Sequence, residues 1–269
     1  MTLDILDYPF MRAALLTGLV LGVLFALMGI FVVTKGMAFF SDFIAHSAIL
    51  GGAIAVMAGA EPSLFLVPYS LAVAFAVSLI WNYFPLSRDT ALGVFYGGAV
   101  AAGIILIITR GLGQQSLIQF LFGDILLIRP LDIWLSAGLL AAFAAFLKLR
   151  LRNLLRASFL PEISAAEGVR VKLYDYALIA FISITIALSI KLVGVVLANS
   201  MVVIPAAAAK TVSRSFRQFM LLAPVAGVSA FVLGIVLSFY LNLPSGPAVI
   251  ASAFCIFLAA LAAHAVRGG

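Results

Sequence analysis

Two residues in this chain have side chains that could do chemistry, and they sit where such groups are costly. Asp42 and His46 lie in an otherwise apolar stretch, Phe39-Phe40-Ser41-Asp42-Phe43-Ile44-Ala45-His46-Ser47. An ionisable side chain near the centre of a membrane-spanning helix costs about 2.5–3.5 kcal/mol on insertion scales, so it needs a reason. The i, i+4 spacing puts both side chains on one helix face, with Cβ atoms about 5–6 Å apart. A carboxylate beside an imidazole is a ligand pair for a borderline divalent ion such as Zn2+ or Mn2+. The alternative is a hydrogen-bonded Asp–His pair near the membrane boundary, with Asp42 nearly solvated. Zinc takes four ligands, and one chain offers two. A second copy across a two-fold axis would complete the set with two Asp42 and two His46.

Other polar candidates are less pointed. Glu61, Asp4 and Asp7 gather at one mouth of the expected bundle and would attract cations, although loop acids are ordinarily just solvated. Asp124 and Asn199 stand in apolar surroundings, where they either line a path or bond to neighbouring backbone. His264, near the C-terminus, fits an interfacial position. Cys255 is the one cysteine, which excludes a disulfide framework and a thiolate metal cluster. No G-x-x-x-x-G-K-[ST] is present: Lys210-Thr211 follows Ile204-Pro205-Ala206-Ala207-Ala208-Ala209, without phosphate-cradling glycines. H-E-x-x-H and G-x-S-x-G are missing too. The chain is therefore not expected to be an enzyme. If ATP drives it, a separate chain hydrolyses the ATP.

The elements that must position Asp42 and His46 follow from composition. Of 269 residues, 65% are hydrophobic and 10% charged, against roughly 45–50% and 25% in soluble domains. Such a chain cannot cover a water-facing surface, which excludes a soluble enzyme and a disordered chain. It is an all-α, polytopic membrane protein forming one domain over residues 1–269. Apolar runs fall at about 11–33, 39–60, 63–84, 90–109, 132–147, 174–191, 192–209, 218–241 and 245–265. That predicts nine crossings, or eight if 174–209 is one pass. The 192–209 run follows Lys191 with almost no loop and holds Asn199 and Pro205, as a broken helix would. A segment near 114–130 is too short to span and is expected to be re-entrant or interfacial. Small residues recur on the second span (Ser41, Ala45, Ala48, Gly52, Ala55, Gly59) and on the fourth (Gly93, Gly97, Ala101), as helix-packing stripes do.

Charge gives orientation. With nine crossings and the N-terminus outside, twelve basic residues face the cytoplasm: Lys35, Arg88, Lys148, Arg150, Arg152, Arg156, Arg170, Lys172, Lys210, Arg214, Arg217 and Arg267. Four remain outside: Arg12, Arg110, Arg129 and Lys191. The bias obeys the positive-inside rule and places the C-terminus in the cytoplasm. It also explains a net charge of +6 without nucleic acid as partner. The longest cytoplasmic connection, about 148–173, contains Phe159-Leu160-Pro161-Glu162-Ile163-Ser164-Ala165-Ala166-Glu167-Gly168. Pro161 suits a first helical position, Glu162 complements the helix dipole, and Gly168 can end the helix. The result is either a short surface helix presenting Phe159 and Ile163 or a plain basic topogenic loop.

Taken in order, these segments resemble the permease subunits of ABC importers for zinc, manganese and iron, distantly related to cobalamin permeases. Ser41-Asp42-Phe43-Ile44-Ala45-His46-Ser47 with Gly51 is similar to that family's Gly-Asp-x-x-Ser-His segment. Asp89-Thr90-Ala91-Leu92-Gly93, Leu121-Phe122-Gly123-Asp124-Ile125-Leu126 and Pro161-Glu162 through Gly168 match further motifs, as do Val193-Gly194, Ile204-Pro205-Ala206-Ala207 and Pro244-Ser245-Gly246-Pro247. Ser41 replaces the family's glycine and Ala45 its serine; neither change removes a ligand. The resemblance implies a homodimeric permease in a bacterial inner membrane, bound to cytoplasmic ABC ATPase subunits and fed by an extracytoplasmic metal-binding protein. It implies that Asp42 and His46 lie on the metal pathway and that Phe159, Pro161, Glu162, Ile163 and Gly168 belong to the ATPase-coupling helix. It implies no permanently bound cofactor, with Zn2+ (or Mn2+) as transported substrate. Residues 121–168 and 193–209 look closer to zinc-uptake permeases than to manganese ones. A cobalamin- or siderophore-type permease and an ion-coupled secondary carrier are the competing transport readings. The carrier would need an internal repeat and more intramembrane acids than the chain has.

Overall fold

A computed structural model describes residues 7–109 and 128–268. The described residues form helices and no strand: α1 (Pro9–Thr34), α2 (Ala38–Met57), α3 (Pro62–Tyr83), α4 (Arg88–Thr109), α5 (Pro130–Phe159), α6 (Pro161–Ala166), α7 (Val171–Val212), α8 (Phe216–Leu241) and α9 (Ser245–Gly268). Eight of them, all but α6, are long and apolar enough to cross a membrane. The re-entrant segment expected near 114–130 lies almost wholly outside the described residues. Proline at the first turn starts α1, α3, α5 and α6, where its missing N–H is no loss.

The longest helix, α7, is not straight. Lys191 lies 3.9 Å from Asp132, near the start of α5. Phe216, just past the end of α7, stacks edge-on against Phe159 at the other end of α5, with ring centroids 6.0 Å apart. Those two ends of α5 are 27 residues, or about 40 Å, apart along the helix. The chain therefore runs from the Phe159 end to the Asp132 end and back again within α7. A second pair of contacts agrees. Met28 Sδ accepts a hydrogen bond from Thr185, while the next residue, Gly29, abuts the Val202 carbonyl. In a straight helix Thr185 and Val202 would stand roughly 25 Å apart.

Gly194 makes the reversal. Its φ of 78° and ψ of 167° fall in a region open essentially to glycine alone. The two limbs of α7 are thus the two expected spans 174–191 and 192–209, broken at Gly194 rather than at Asn199 or Pro205. Nine passes result from eight spanning helices. The reversal also sorts the charges: Lys35, Arg88, Lys148 to Arg156, Arg170, Lys172, Lys210, Arg214 and Arg217 share one end of the bundle. Arg12, Arg129 and Lys191 share the other. Had α7 crossed once, Lys210, Arg214 and Arg217 would have fallen at the sparsely charged end.

Helices α1 and α7 form the interior, each with 67% of its spanning stretch buried, against 17% for α5 and α9. Phe25, Phe31, Phe40, Phe43, Phe143 and Phe231 fill the core between them. Outward positions such as Leu149, Trp134, Ile108 and Val94 are large, apolar and exposed, which suits lipid contact. Close helix approach comes from glycines outside the stripes read in the sequence. A Cβ on Gly29 would stand far inside contact distance of the Val202 carbonyl, so α1 and the second limb of α7 touch backbone to backbone. The small stripe of α2 is buried at Ser41, Ala45, Ala48 and Ala55. Among the described residues that of α4 is nearly unpartnered: a Cβ on Gly97 would meet nothing within 4 Å and one on Gly93 only Phe39, and α4 approaches α2 through Gly103 instead.

Candidate metal site

Asp42 and His46 occupy the second and third turns of α2, on the face turned toward α4 and α7. Their side chains meet as the spacing demands: His46 Nδ1 lies 3.2 Å from Asp42 Oδ1 and 3.0 Å from the Asp42 carbonyl oxygen. Both neighbours of Nδ1 are acceptors, so Nδ1 carries a proton, and whenever the ring is neutral its lone pair lies on Nε2. Metal-binding histidines are ordinarily oriented in this manner, through the nitrogen that does not bind the ion. The imidazole leans on the Tyr96 ring of α4, with centroids 5.1 Å apart.

A third residue completes the cluster. Asn199, from the second limb of α7, donates from Nδ2 to Asp42 Oδ1 at 2.8 Å. Its own carbonyl oxygen lies 2.7 Å from the Ser41 hydroxyl, which is also 2.8 Å from the Ala38 carbonyl. An ionised carboxylate only accepts, so the amide must point its nitrogen at Asp42 and receive the Ser41 proton at its oxygen. Asn199 was expected to bond to backbone or to line a path; it holds the aspartate. Ser41, which enters the sequence pattern as a small residue of the α2 stripe and as a replacement for glycine, is the anchor of that amide. Asn199 is thirteen residues, roughly 20 Å, from the end of α7, while Asp42 is four residues, about 6 Å, from the start of α2. Asp42 and His46 remain 25% and 20% exposed, open to an ion or to a second chain.

Among the described residues no group of three or more His, Cys, Asp or Glu converges. Among the described residues, the atoms of this pair without a hydrogen-bond partner are Oδ2 of Asp42 and Nε2 of His46, and no Lys or Arg pairs with Asp42, whose Oδ1 accepts from Asn199.

The remaining sequence candidates scatter. Glu61 pairs with Arg129 at 3.8 Å at the sparsely charged end, far from Asp42. His264 sits exposed near the end of α9. Asp7 is exposed in the turn before α1, while Asp4 and Asp124 lie outside the described residues. Lys191, Asp132, Arg129 and Glu61 together form a chain of ion pairs at that end. Sequence reasoning did not find it, since only Arg129 and Asp132 are near one another along the chain.

The expected surface helix is present as α6, beginning at Pro161 with Glu162 in its first turn. Gly168 ends it with φ of 82°, its N–H bonded to Ala165 and the Val169 N–H to Ser164. Arg156 and Glu167 clasp the turn at 3.0 Å. Ser164 is buried, while Phe159, Leu160 and Ile163 are each more than half exposed at the basic end. Ile163 on α6, Leu160 before it and Phe159 at the end of α5 together make an exposed apolar patch at the basic end.

Comparison with known proteins agrees over nearly the whole chain. The model of the family described as "ABC 3 transport family" matches residues 7–264. The manganese import system permease protein ScaB of Streptococcus gordonii is 29% identical over 252 residues, covering 94% of this chain and 90% of that one. The high-affinity zinc uptake system membrane protein ZnuB of Haemophilus influenzae is 30% identical over 249 residues, covering 92% and 95%. Among solved structures, PsaBC from Streptococcus pneumoniae in complex with Fab superposes with a TM-score of 0.84 at 27% identity, covering 97% of this chain and 95% of that one.

Proposed function

The chain belongs to the ABC 3 transport family and is a permease subunit of the metal-transporting ABC kind, and from that premise we propose that it imports a divalent transition metal, zinc ahead of manganese. The observation that carries the reading is the Asp42–His46 pair held with Oδ2 and Nε2 free on an accessible face inside an apolar bundle. Intramembrane ionisable groups of this kind mark ion pathways. One oxygen and one nitrogen per chain suit a transient stop for a borderline ion, because a tight, closed cage would not release its cargo. Relatives named for manganese and for zinc stand at nearly equal identity, so the preference for zinc rests on the donor chemistry. A neutral imidazole suits zinc, while manganese favours oxygen-rich, six-coordinate sites.

A second copy of the chain completes the site in this reading. The face of α4 beside Tyr96 exposes Val94 and Phe95, and among the described residues a Cβ on Gly97 or Gly98 would meet nothing within 4 Å. Two such faces meeting at a two-fold axis would bring two Asp42 and two His46 to one ion, the four donors of tetrahedral zinc. Separate ATPase subunits bind at α6, using Phe159, Pro161, Glu162 and Ile163 ahead of the Gly168 turn, and an extracytoplasmic binding protein delivers the ion to the opposite end. The basic end faces the cytoplasm of a bacterial inner membrane, as the positive-inside rule requires. The cargo is a passing ligand, with no resident cofactor. The test is accumulation of labelled zinc and manganese, in competition, in cells expressing the assembled transporter. Asp42→Asn and His46→Ala should each abolish uptake while leaving the complex intact; normal uptake by both variants rejects the pathway assignment.

A further inference from the structure

The geometry points to Asn199 as the residue that sets metal preference, by holding Asp42 to a single free oxygen; the inference rests on the pathway reading above. Oδ1 of Asp42 has two in-plane lone pairs. One accepts the Asn199 Nδ2 proton at 2.8 Å; His46 Nδ1, hydrogen-bonded to the Asp42 carbonyl oxygen at 3.0 Å, also lies 3.2 Å from Oδ1. Oδ1 is thus engaged by Asn199 and crowded by the imidazole, and Oδ2 is the carboxylate oxygen without a partner among the described residues. Asp42 is thereby a one-oxygen ligand.

That restriction discriminates between cargoes. Two one-oxygen carboxylates and two imidazoles make four donors, which is what zinc takes. An ion that prefers six ligands, most of them oxygen, gains if each carboxylate can turn both oxygens toward it. Asn199 blocks the turn because its amide is itself fastened: Ser41 donates to its oxygen at 2.7 Å. Its backbone is fixed by the Gly194 reversal five residues upstream and by the close α1 contact at Gly29. An arrangement that exists only after α7 folds back thus controls a ligand on α2. Asn199 touches no ion in this scheme, so it is a positioning residue.

The test compares wild type, Asn199→Ala, Ser41→Ala and Asp42→Asn in the assembled transporter. Two quantities are read: the zinc-to-manganese uptake ratio in competition, and the visible spectrum of Co2+ bound to the purified complex, whose bands are intense when four-coordinate and weak when six-coordinate. Loss of an outer partner of a metal ligand changes affinity about 10–100-fold. Asn199→Ala is accordingly expected to lower the zinc-to-manganese ratio at least about tenfold and to weaken the Co2+ bands. Ser41→Ala should move both in the same direction by less, and it decides the matter if Asn199→Ala fails to assemble. An unchanged ratio and spectrum in the assembling variants, with uptake abolished by Asp42→Asn, overturns the role of Asn199 alone. Normal uptake by Asp42→Asn overturns the pathway reading and this inference with it.

Discussion

Lys35 Nζ lies 2.6 Å from Asp175 Oδ1, joining the end of α1 to the second turn of α7 across 140 residues of sequence. The lysine is nearly buried, with 8% of its side chain exposed, whereas the carboxylate keeps contact with solvent at 27%. The pair fixes where α7 starts relative to α1, and both limbs of α7 are then stacked on that helix. Asp175→Ala leaves a buried ammonium without its partner. Discounted for the exposure of the carboxylate, the loss should be about 2 kcal/mol. Thermal unfolding of the purified protein would register it, and Lys35→Ala with Asp175→Ala together should restore part of the loss. A double variant as unstable as the sum of the two single ones would show that the ion pair contributes nothing by itself.

The double crossing of α7 predicts sidedness. In a Cys255→Ala background, single cysteines at Ser213 and at Ser158 should react with a membrane-impermeant thiol reagent from the same side. A cysteine at Tyr8 should react only from the other. Labelling of Ser213 and Ser158 from opposite sides would mean that α7 crosses once.

Gly194→Ala forces a side chain into backbone geometry that only glycine adopts freely. The strain is about 1–3 kcal/mol, expressed at the point where α7 reverses. The variant should show lowered thermal stability. It should also lose uptake beyond what stability accounts for, because Asn199 lies on the limb that moves. Wild-type stability would show that the turn accepts another conformation.

Ile163→Asp places a charge on the exposed apolar face of α6 without touching the buried Ser164 that seats the helix. Binding of the ATPase subunit should weaken, read as loss of co-purification, while the permease itself stays folded. Undiminished co-purification would move the docking surface off α6.

Much of this architecture is legible along the chain because a lipid environment leaves few options. Apolar runs must be helices, since backbone groups in hydrocarbon need internal partners, and the basic residues mark one side. The Asp42–His46 pair is equally legible, because i and i+4 on a helix are neighbours whatever surrounds them. The α6 helix carries its own start and stop signals in Pro161 and Gly168. The stripes were less informative: Gly97 and Ala101 have the spacing of a packed face yet lie open among the described residues, since spacing does not say which helix lies opposite.

Asn199 shows where linear reasoning ends. It is 157 residues from Asp42, and nothing local to it distinguishes a residue that grips a ligand from one that bonds to its own backbone. The same holds for Lys35 with Asp175 and for Lys191 with Asp132. The sequence by itself determined that this is a membrane-embedded helical protein, which end is basic, and that Asp42 and His46 share a face. These follow from composition, periodicity and spacing, which are properties of a chain taken a few residues at a time. Only the tertiary structure decided that α7 turns back at Gly194, and that the turn delivers Asn199 to Asp42. Those depend on which helices are neighbours, and helix neighbours in lipid are chosen by close packing between distant segments.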